Sequence, residues 1–286
     1  MKHAKPFALG KLWLPLWGII FLFSSCAHIN SSHHFAYAPS AINAPFLKEK
    51  NQLRLSGNIT MGEGDEHNSN SFSNYGKHLR AAYAISDHFG VTAAYATSKE
   101  RDTYNPSFPE LSKTIAYRRS SGEISAGYFT AVNKKKKLYL ECYGGYGPGR
   151  NRITESYEYP GTANATGGFF DNNYHLIYIQ PAIVLHHENL LQMGISLRTT
   201  MIKFGTASTN YREDVLRDSD VKLYGLNKEP YIFFQPTLSF RIPLSKRGKL
   251  NLNLEATRSF PLSGKNIYTR ENILLLGLTY SPLSRK

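Results

Sequence analysis

Between Leu176 and Met201 the chain reads as two runs of alternating residues around a polar break, His186-His187-Glu188-Asn189. In the first run Ile177, Ile179, Ile183 and Leu185 share one side. In the second, Leu191, Met193, Ile195, Leu197 and Met201 do, with Gln192, Ser196, Arg198 and Thr200 opposite them. Successive strand residues point to opposite faces, so the pattern predicts a hairpin with one apolar and one polar surface. An echo follows. Gln180-Pro181 returns as Gln235-Pro236, an offset of 235 − 180 = 55 residues. Around it Ile232, Phe234, Leu238, Phe240 and Ile242 alternate with Gln235, Thr237, Ser239 and Arg241, and beyond it Leu250, Leu252 and Leu254 alternate with Asn251, Asn253 and Glu255.

The same period runs back to Gln52. Leu53, Leu55, Ile59 and Met61 alternate with Arg54, Ser56, Asn58 and Thr60. Further runs cover about 77–86, 90–98, 115–132 and 137–147, and Ile273–Ser281 is the last. Short breaks (87–89, 133–136) alternate with long ones (62–76, 99–113, 148–173, 205–230). Roughly ten strands with tight turns at one end and long loops at the other predict an all-β, up-and-down antiparallel transmembrane β-barrel. An even strand number puts both ends of the barrel on the tight-turn side, the periplasmic one. A soluble sandwich or lipocalin-like barrel also alternates, with its apolar face inside. The polar face decides between them: Arg54, Arg80, Glu123, Glu141, Arg198, Arg241 and Glu255 carry both signs at mid-strand and are expected to pair inside a narrow lumen. In the last strand both faces are apolar, so its outward side stays open.

Residues 1–25 read as a signal segment. Lys2, Lys5 and Lys11 precede an apolar stretch, Leu12 to Phe23, too short for a comfortable span, and Ser24-Ser25-Cys26 follows. This resembles a bacterial lipoprotein signal, with Cys26 as the lipid-attachment residue and new N-terminus. Acylation adds about 0.8 kcal/mol of membrane affinity per buried CH₂. Residues 26–51, rich in Ser, His, Ala, Asn and Pro, are expected to be a flexible lipidated tether on the periplasmic side, and residues 52–286 the barrel.

Asn43-Ala44-Pro45, Gln52–Gly57, Tyr143-Gly144-Gly145-Tyr146-Gly147-Pro148-Gly149 and Gln180-Pro181-Ala182-Ile183 resemble a family of uncharacterised outer-membrane β-barrel lipoproteins from Bacteroidota. The resemblance covers Cys26 to about Thr200. It implies architecture and location, with no assigned activity.

The net charge of +13 points to anionic partners, outer-membrane lipids and lipopolysaccharide first. The basic residues look dispersed, and no basic stripe interleaved with aromatics suggests nucleic acid. Barrel-assembly and lipoprotein-sorting machinery are the expected handling partners, with an unknown surface ligand at the long loops. Catalysis would need a nucleophile, a base and an orienting acid within reach. His175 with Asp171 lies near the loop end, but no spacing completes a triad, and His186-His187-Glu188 lies at the opposite end. Asp214, Asp218 and Asp220 lack the glycine and terminal glutamate of a calcium loop. His33-His34 reads as solvated, and Cys142 shares the apolar face of Leu138 and Leu140. Tyr95, Tyr146, Tyr174, Phe204 and Tyr231 are expected to form the aromatic girdle at headgroup level. No catalytic, cofactor or metal residue is assigned. The expected role is structural or in surface interaction; the alternatives are an enzyme acting on lipid A or peptides, and a narrow channel.

Overall fold

The computed structural model describes residues 33–39, 44–66, 70–104, 112–158, 165–186, 191–245, 249–263 and 267–282. Ten antiparallel strands form the wall: β2 (Leu53–Glu66), β3 (Asn70–Ala84), β4 (Phe89–Tyr104), β5 (Ser112–Ala131), β6 (Leu138–Glu158), β7 (Ala165–Leu185), β8 (Gln192–Phe204), β10 (Tyr231–Pro243), β11 (Leu250–Arg258) and β14 (Asn272–Tyr280). Each pairs with its neighbours. β11 pairs with β10 on one side and β14 on the other, and β14 pairs with β2, so the sheet closes into a barrel. Closure leaves no free wall edge to recruit another chain. Four short strands lie off this path. β1 (Phe35–Tyr37) pairs in parallel with β13 (Tyr268–Thr269), β9 (Ser208–Thr209) flanks β7, and β12 (Phe260–Ser263) continues on β10 where β11 stops.

The wall is apolar outside and polar inside. Leu55, Leu79, Ile124, Ile177, Ile183, Ile195, Leu197 and Leu276 point outward and are 43–65% exposed. Arg54, Asn58, Glu123, Glu141, Arg198, Gln235, Arg241 and Glu255 point inward and are 1–7% exposed. A soluble barrel has the reverse arrangement. In lipid the outer face costs nothing to expose, and the closed ladder satisfies the backbone. In the last strand Leu274, Leu276, Leu278 and Tyr280 face out while Leu275 is 1% exposed. Register decides this face, because Leu276 stands opposite both Ile59 and Leu254.

The strands outrun the apolar pattern. Residues 62–66 pair with 70–74, Lys99–Tyr104 pair with β5, and β6 continues through Pro148 to Glu158. The long breaks expected at 62–76, 99–113 and 148–173 are therefore mostly strand. Beyond the apolar band much of both faces is polar, so the hydrophobic period vanishes while hydrogen bonding continues. At about 3.3 Å per residue, a membrane crossing uses roughly half of a strand as long as β5 or β6. The wall is tall at the loop end along β3–β7 and lower along β10–β14.

Prolines fall where the ladder is interrupted. β6 loses its pairing to β5 between Gly149 and Tyr146, around Pro148. β7 loses its pairing to β8 between Ile179 and Ala182, at Gln180-Pro181. β10 has a gap between Phe234, paired with β12, and Thr237, paired with β11, at Gln235-Pro236. Proline has no N–H to donate, and in a closed wall each interruption supplies a place where none is needed. Both glutamines face the lumen, as their parity predicts.

Candidate functional site

The chain fills its own barrel. Starting at the turn end, Phe46 and Leu47 are fully buried inside the lumen, in a cluster with Ala82, Ala84, Phe129, Tyr139 and Val184. Gly194 makes this possible: a Cβ there would lie 2.7 Å from the Phe46 ring. The Phe46 N–H donates to a Glu141 carboxylate oxygen (3.4 Å). Arg241 donates to the carbonyls of Pro45 (3.2 Å) and Ala44 (3.3 Å), and its guanidinium lies 4.1 Å from the centre of the Phe46 ring. His186, just past β7, packs edge-on against Phe46 and Tyr139. Burial, with Lys48, Arg54 and Arg241 nearby, pushes its pKa well below the usual histidine value.

At the loop end the same segment is held by hydrogen bonds. The carbonyls of His33, Phe35 and Ala36 accept from Tyr117 (2.8 Å), Arg119 (3.1 Å) and Asn151 (3.1 Å). The Arg270 N–H donates to the Tyr37 carbonyl (2.9 Å) and the His34 N–H to that of Asp220 (3.1 Å). The His34 ring, fully buried, lies 3.2 Å from Glu155, which also pairs with Lys113 (2.9 Å) and accepts from Tyr211 (2.7 Å) and Tyr157. Arg270 bridges Glu100 (3.1 Å) and Asp102 (2.6 Å) under the Phe35 ring, and Arg119 also pairs with Glu100 (2.6 Å). Tyr37 sits in an aromatic stack with Tyr174 and Phe233, which continues to Phe204 and Tyr231.

Between the two ends the lumen is polar. Arg198 pairs with Glu123 (2.9 Å) and lies 3.6 Å from the centre of the Tyr178 ring, and Arg80 pairs with Glu255 (2.8 Å). Gln235 accepts from the Thr200 hydroxyl (2.9 Å) and donates to Tyr37 and Ser259. Its link to β8 therefore runs through Thr200, while Arg198 is turned to Glu123. A tyrosine that swings into this lumen needs space from the next strand: a Cβ at Gly145 would lie 2.4 Å from the Tyr178 ring. Among the cavities in the lumen, two hold ≈ 40 Å³ each, lined among others by Arg54, Glu123 and Arg198 in one and His78 and Arg119 in the other. That is room for a few waters and not for a passing solute.

The solved structures similar to this chain are barrels. The translocator domain of the autotransporter NalP from Neisseria meningitidis matches at 12% identity and a TM-score of 0.47, over 82% of this chain and 90% of that one. The β domain of the Bordetella autotransporter BrkA matches at 10% and 0.44, over 81% and 100%. The outer membrane protease OmpT from Escherichia coli matches at 9% and 0.42, over 81% and 94%. No protein-family model and no curated protein matches the sequence.

The residues singled out in the sequence separate into four groups. Cys26 and the segment 1–25 lie outside the described residues. His175 faces outward, stacked on Tyr146 with its Nδ1 2.5 Å from the hydroxyl, while Asp171 is held by two bonds from Arg150 (2.8 and 2.5 Å). Base and acid are thus engaged elsewhere, and neither orients the other. In the loop after β8, the side-chain bond from Arg212 holds the exposed Asp214 carboxylate below its usual pKa, and Asp220 contributes its carbonyl to His34. Cys142 is exposed on the outer face, as its parity predicts.

Two expectations need correction, besides that of a solvated His34, whose ring is fully buried against Glu155. Tyr95 and Tyr146 do face outward, but Tyr174, Phe204 and Tyr231 are 1–4% exposed and line the lumen around Tyr37. They are aromatic and near strand ends, like a girdle, but their parity is the inward one. The second correction concerns the tether. Its described residues, 33–39 and 44–51, are not a free linker. They run from the loop end to the turn end inside the barrel, so His33 stands at the end opposite to the periplasmic one expected for this segment. The signal was present: Phe35-Ala36-Tyr37 and Phe46-Leu47 are too apolar for a solvated linker.

Proposed function

We propose that this chain is an outer-membrane lipoprotein, acylated at Cys26, that works at the cell surface through the loops of its tall end, without catalysis. The observation that carries this reading is the occupied lumen. Among the described residues, a segment bound at Glu155 and Arg119 at one end and at Glu141 and Arg241 at the other occupies the lumen, which speaks against a channel. The loop end is the outer one by the rule that tight turns face the periplasm. His33, the first described residue, stands at that end.

Two measurements test this in cells. Palmitate label should be lost in Cys26→Ala; label that survives rejects the lipid attachment. An epitope inserted after Asn30 should be reached by antibody on intact cells. Protection of that epitope until the outer membrane is permeabilised, with the barrel folded, rejects the surface placement. Planar-bilayer recordings of the purified barrel should show no steady conductance, and an open level would return the channel reading.

A further inference from the structure

The outer wall carries a concentration of positive charge that the sequence scatters over several strands. Tyr75 stands opposite Lys99, Lys99 opposite Arg118, and Arg118 opposite Arg152, in one row across β3, β4, β5 and β6. All four side chains are exposed on the outside. Directly opposed residues have Cβ atoms about 4.5–5.5 Å apart, and like charges so placed repel each other. Two residues further along β4 is Arg101, and two residues back along β6 is Arg150, both also exposed.

Among the described residues of that face one nearby acid, Asp171, answers them in part. Glu100, Asp102 and Glu155 belong to the same stretches of strand but point inward, where Arg119, Arg270, His34 and Lys113 hold them. Asp171, which stands opposite Arg152, is bonded twice to Arg150. Among the described residues no ion pair engages Lys99, Arg101 or Arg118. Arg152 has Asp171 opposite it, but Lys99 and Arg118 stand side by side and repel each other, and an anion from outside would relieve that repulsion.

Position identifies the anion. On β4 the outward residues run Ala93, Tyr95, Thr97, Lys99; on β5 they run Ile124, Gly122, Ser120, Arg118; on β6, Tyr146, Pro148, Arg150, Arg152. Tyr95 and Tyr146 are the exposed aromatics at the top of the apolar band. Two residues along a strand advance it about 6.8 Å, so Lys99 and Arg150 stand two such steps above Tyr95 and Tyr146, and Arg152 three, in the row of Tyr75, itself an exposed aromatic. That is headgroup depth at the loop end. A concavity of ≈ 540 Å³ opens on the wall at this place, lined by Met61, Tyr75, Lys99, Arg101 and Arg118 among others. It offers apolar and aromatic surface beside the charges.

We propose that this face of β3–β6 binds the phosphorylated headgroup of an outer-leaflet glycolipid of the lipid A type. Arg118 and Arg152 present forks suited to phosphate oxygens, and Lys99 and Arg101 supply further charge. Tyr75 and Met61 lie along the sugar, and the acyl chains run down the apolar wall past Tyr95 and Ile124. The proposal requires the loop end to be the outer one, which the surface-epitope experiment above tests separately.

The test uses the full folded chain in detergent, with bound lipid read by native mass spectrometry. The probes are diphosphorylated lipid A, the same lipid after dephosphorylation, and inorganic pyrophosphate. Diphosphorylated lipid A should bind in a salt-sensitive way, and the triple variant Lys99→Gln, Arg118→Gln, Arg152→Gln should weaken it by at least about tenfold. The matched control, Lys134→Gln, Lys135→Gln, Lys137→Gln at the opposite end, should bind like the parent. In lipid-free detergent the patch variant should melt no lower than the parent, because it removes like-charge repulsion. Should the triple variant not fold, Arg118→Gln alone should still weaken binding several-fold. Equal loss in patch and control variants would mean diffuse charge attraction, and equal binding of dephosphorylated lipid would mean an ordinary lipid annulus. Pyrophosphate binding as tightly as the lipid would mean a site for free phosphate. Each of these outcomes overturns the proposal.

Discussion

The two ends of the lumen are closed by the same segment in different ways. At the turn end the closure is one of shape: Phe46 and Leu47 fill a recess floored by Gly194 and walled by Ala82, Ala84 and Val184. At the loop end it is one of hydrogen bonds: β1 lies on β13, its carbonyls taken by Asn151 and Arg119, with His34 against Glu155. The difference follows from what surrounds each end. Near the tight turns the residues that meet Phe46 and Leu47 include Ala82, Ala84 and Gly194, whose small size leaves room for bulky side chains. At the loop end a strand is enclosed by the tall wall and must have its backbone groups matched one by one, since an unmatched buried group costs about 1–3 kcal/mol. One end should therefore respond to volume and the other to donors and acceptors.

The largest effect is expected at the turn end. Phe46→Ala should cost about 3–5 kcal/mol in the denaturant midpoint of the detergent-folded barrel, whereas Phe46→Leu should cost much less. Equal costs would mean that shape does not seal this end. At the loop end Glu155→Ala leaves His34 and Lys113 without their carboxylate and should cost about 2–3 kcal/mol. Hydrogen exchange should then quicken at residues 34–38 while residues 45–48 stay protected. Loosening of both together would show that the segment is one cooperative unit.

Acid should separate the ends further. His186 has its pKa lowered by burial, so in the folded state it stays neutral while in the unfolded state it takes a proton below about pH 6.5. Its contribution is intact above that value and is lost as pH falls, by up to about 1.4 kcal/mol per pH unit. His186→Phe should flatten this part of the pH profile, and an unchanged slope would remove His186 as its source. The smallest effect is expected for Tyr37→Phe, which keeps the aromatic stack and deletes the hydroxyl that accepts from Gln235. About 0.5–1.5 kcal/mol should be lost. A larger loss would mean that the hydroxyl, and not the ring packing, positions β1.

Much of the wall was legible in the sequence. The alternation at 176–201 and its echo at 232–254 located four strands and their inward faces, and the mid-strand Arg198, Glu123, Arg80 and Glu255 do pair inside. Their choice of partner was not legible: Arg198 goes to Glu123, three strands away, and Arg80 to Glu255. Periodicity also ended too early, because above the apolar band neither face needs to be apolar and nothing marks the continuing ladder of β6 and β7. Composition misplaced the aromatics, since Tyr174 and Tyr146 are equally aromatic and differ only in which face their position selects.

What the sequence determines by itself is local and periodic: a strand with one face for lipid and one for a polar interior, repeated until the sheet can close, with prolines confined to places where no N–H is needed. What only the tertiary structure decides is non-local. The face of the last strand is set by Leu276 standing between Ile59 and Leu254. The occupied lumen depends on residues 33–39 and 44–48 meeting β6, β8 and β10 inside a closed wall. The cationic row needs Lys99, Arg118 and Arg152, far apart in the chain, to be brought opposite one another by register. The physical reason is the same in each case. Hydrophobic period is a property of neighbours along the chain, whereas register and enclosure are properties of the closed sheet.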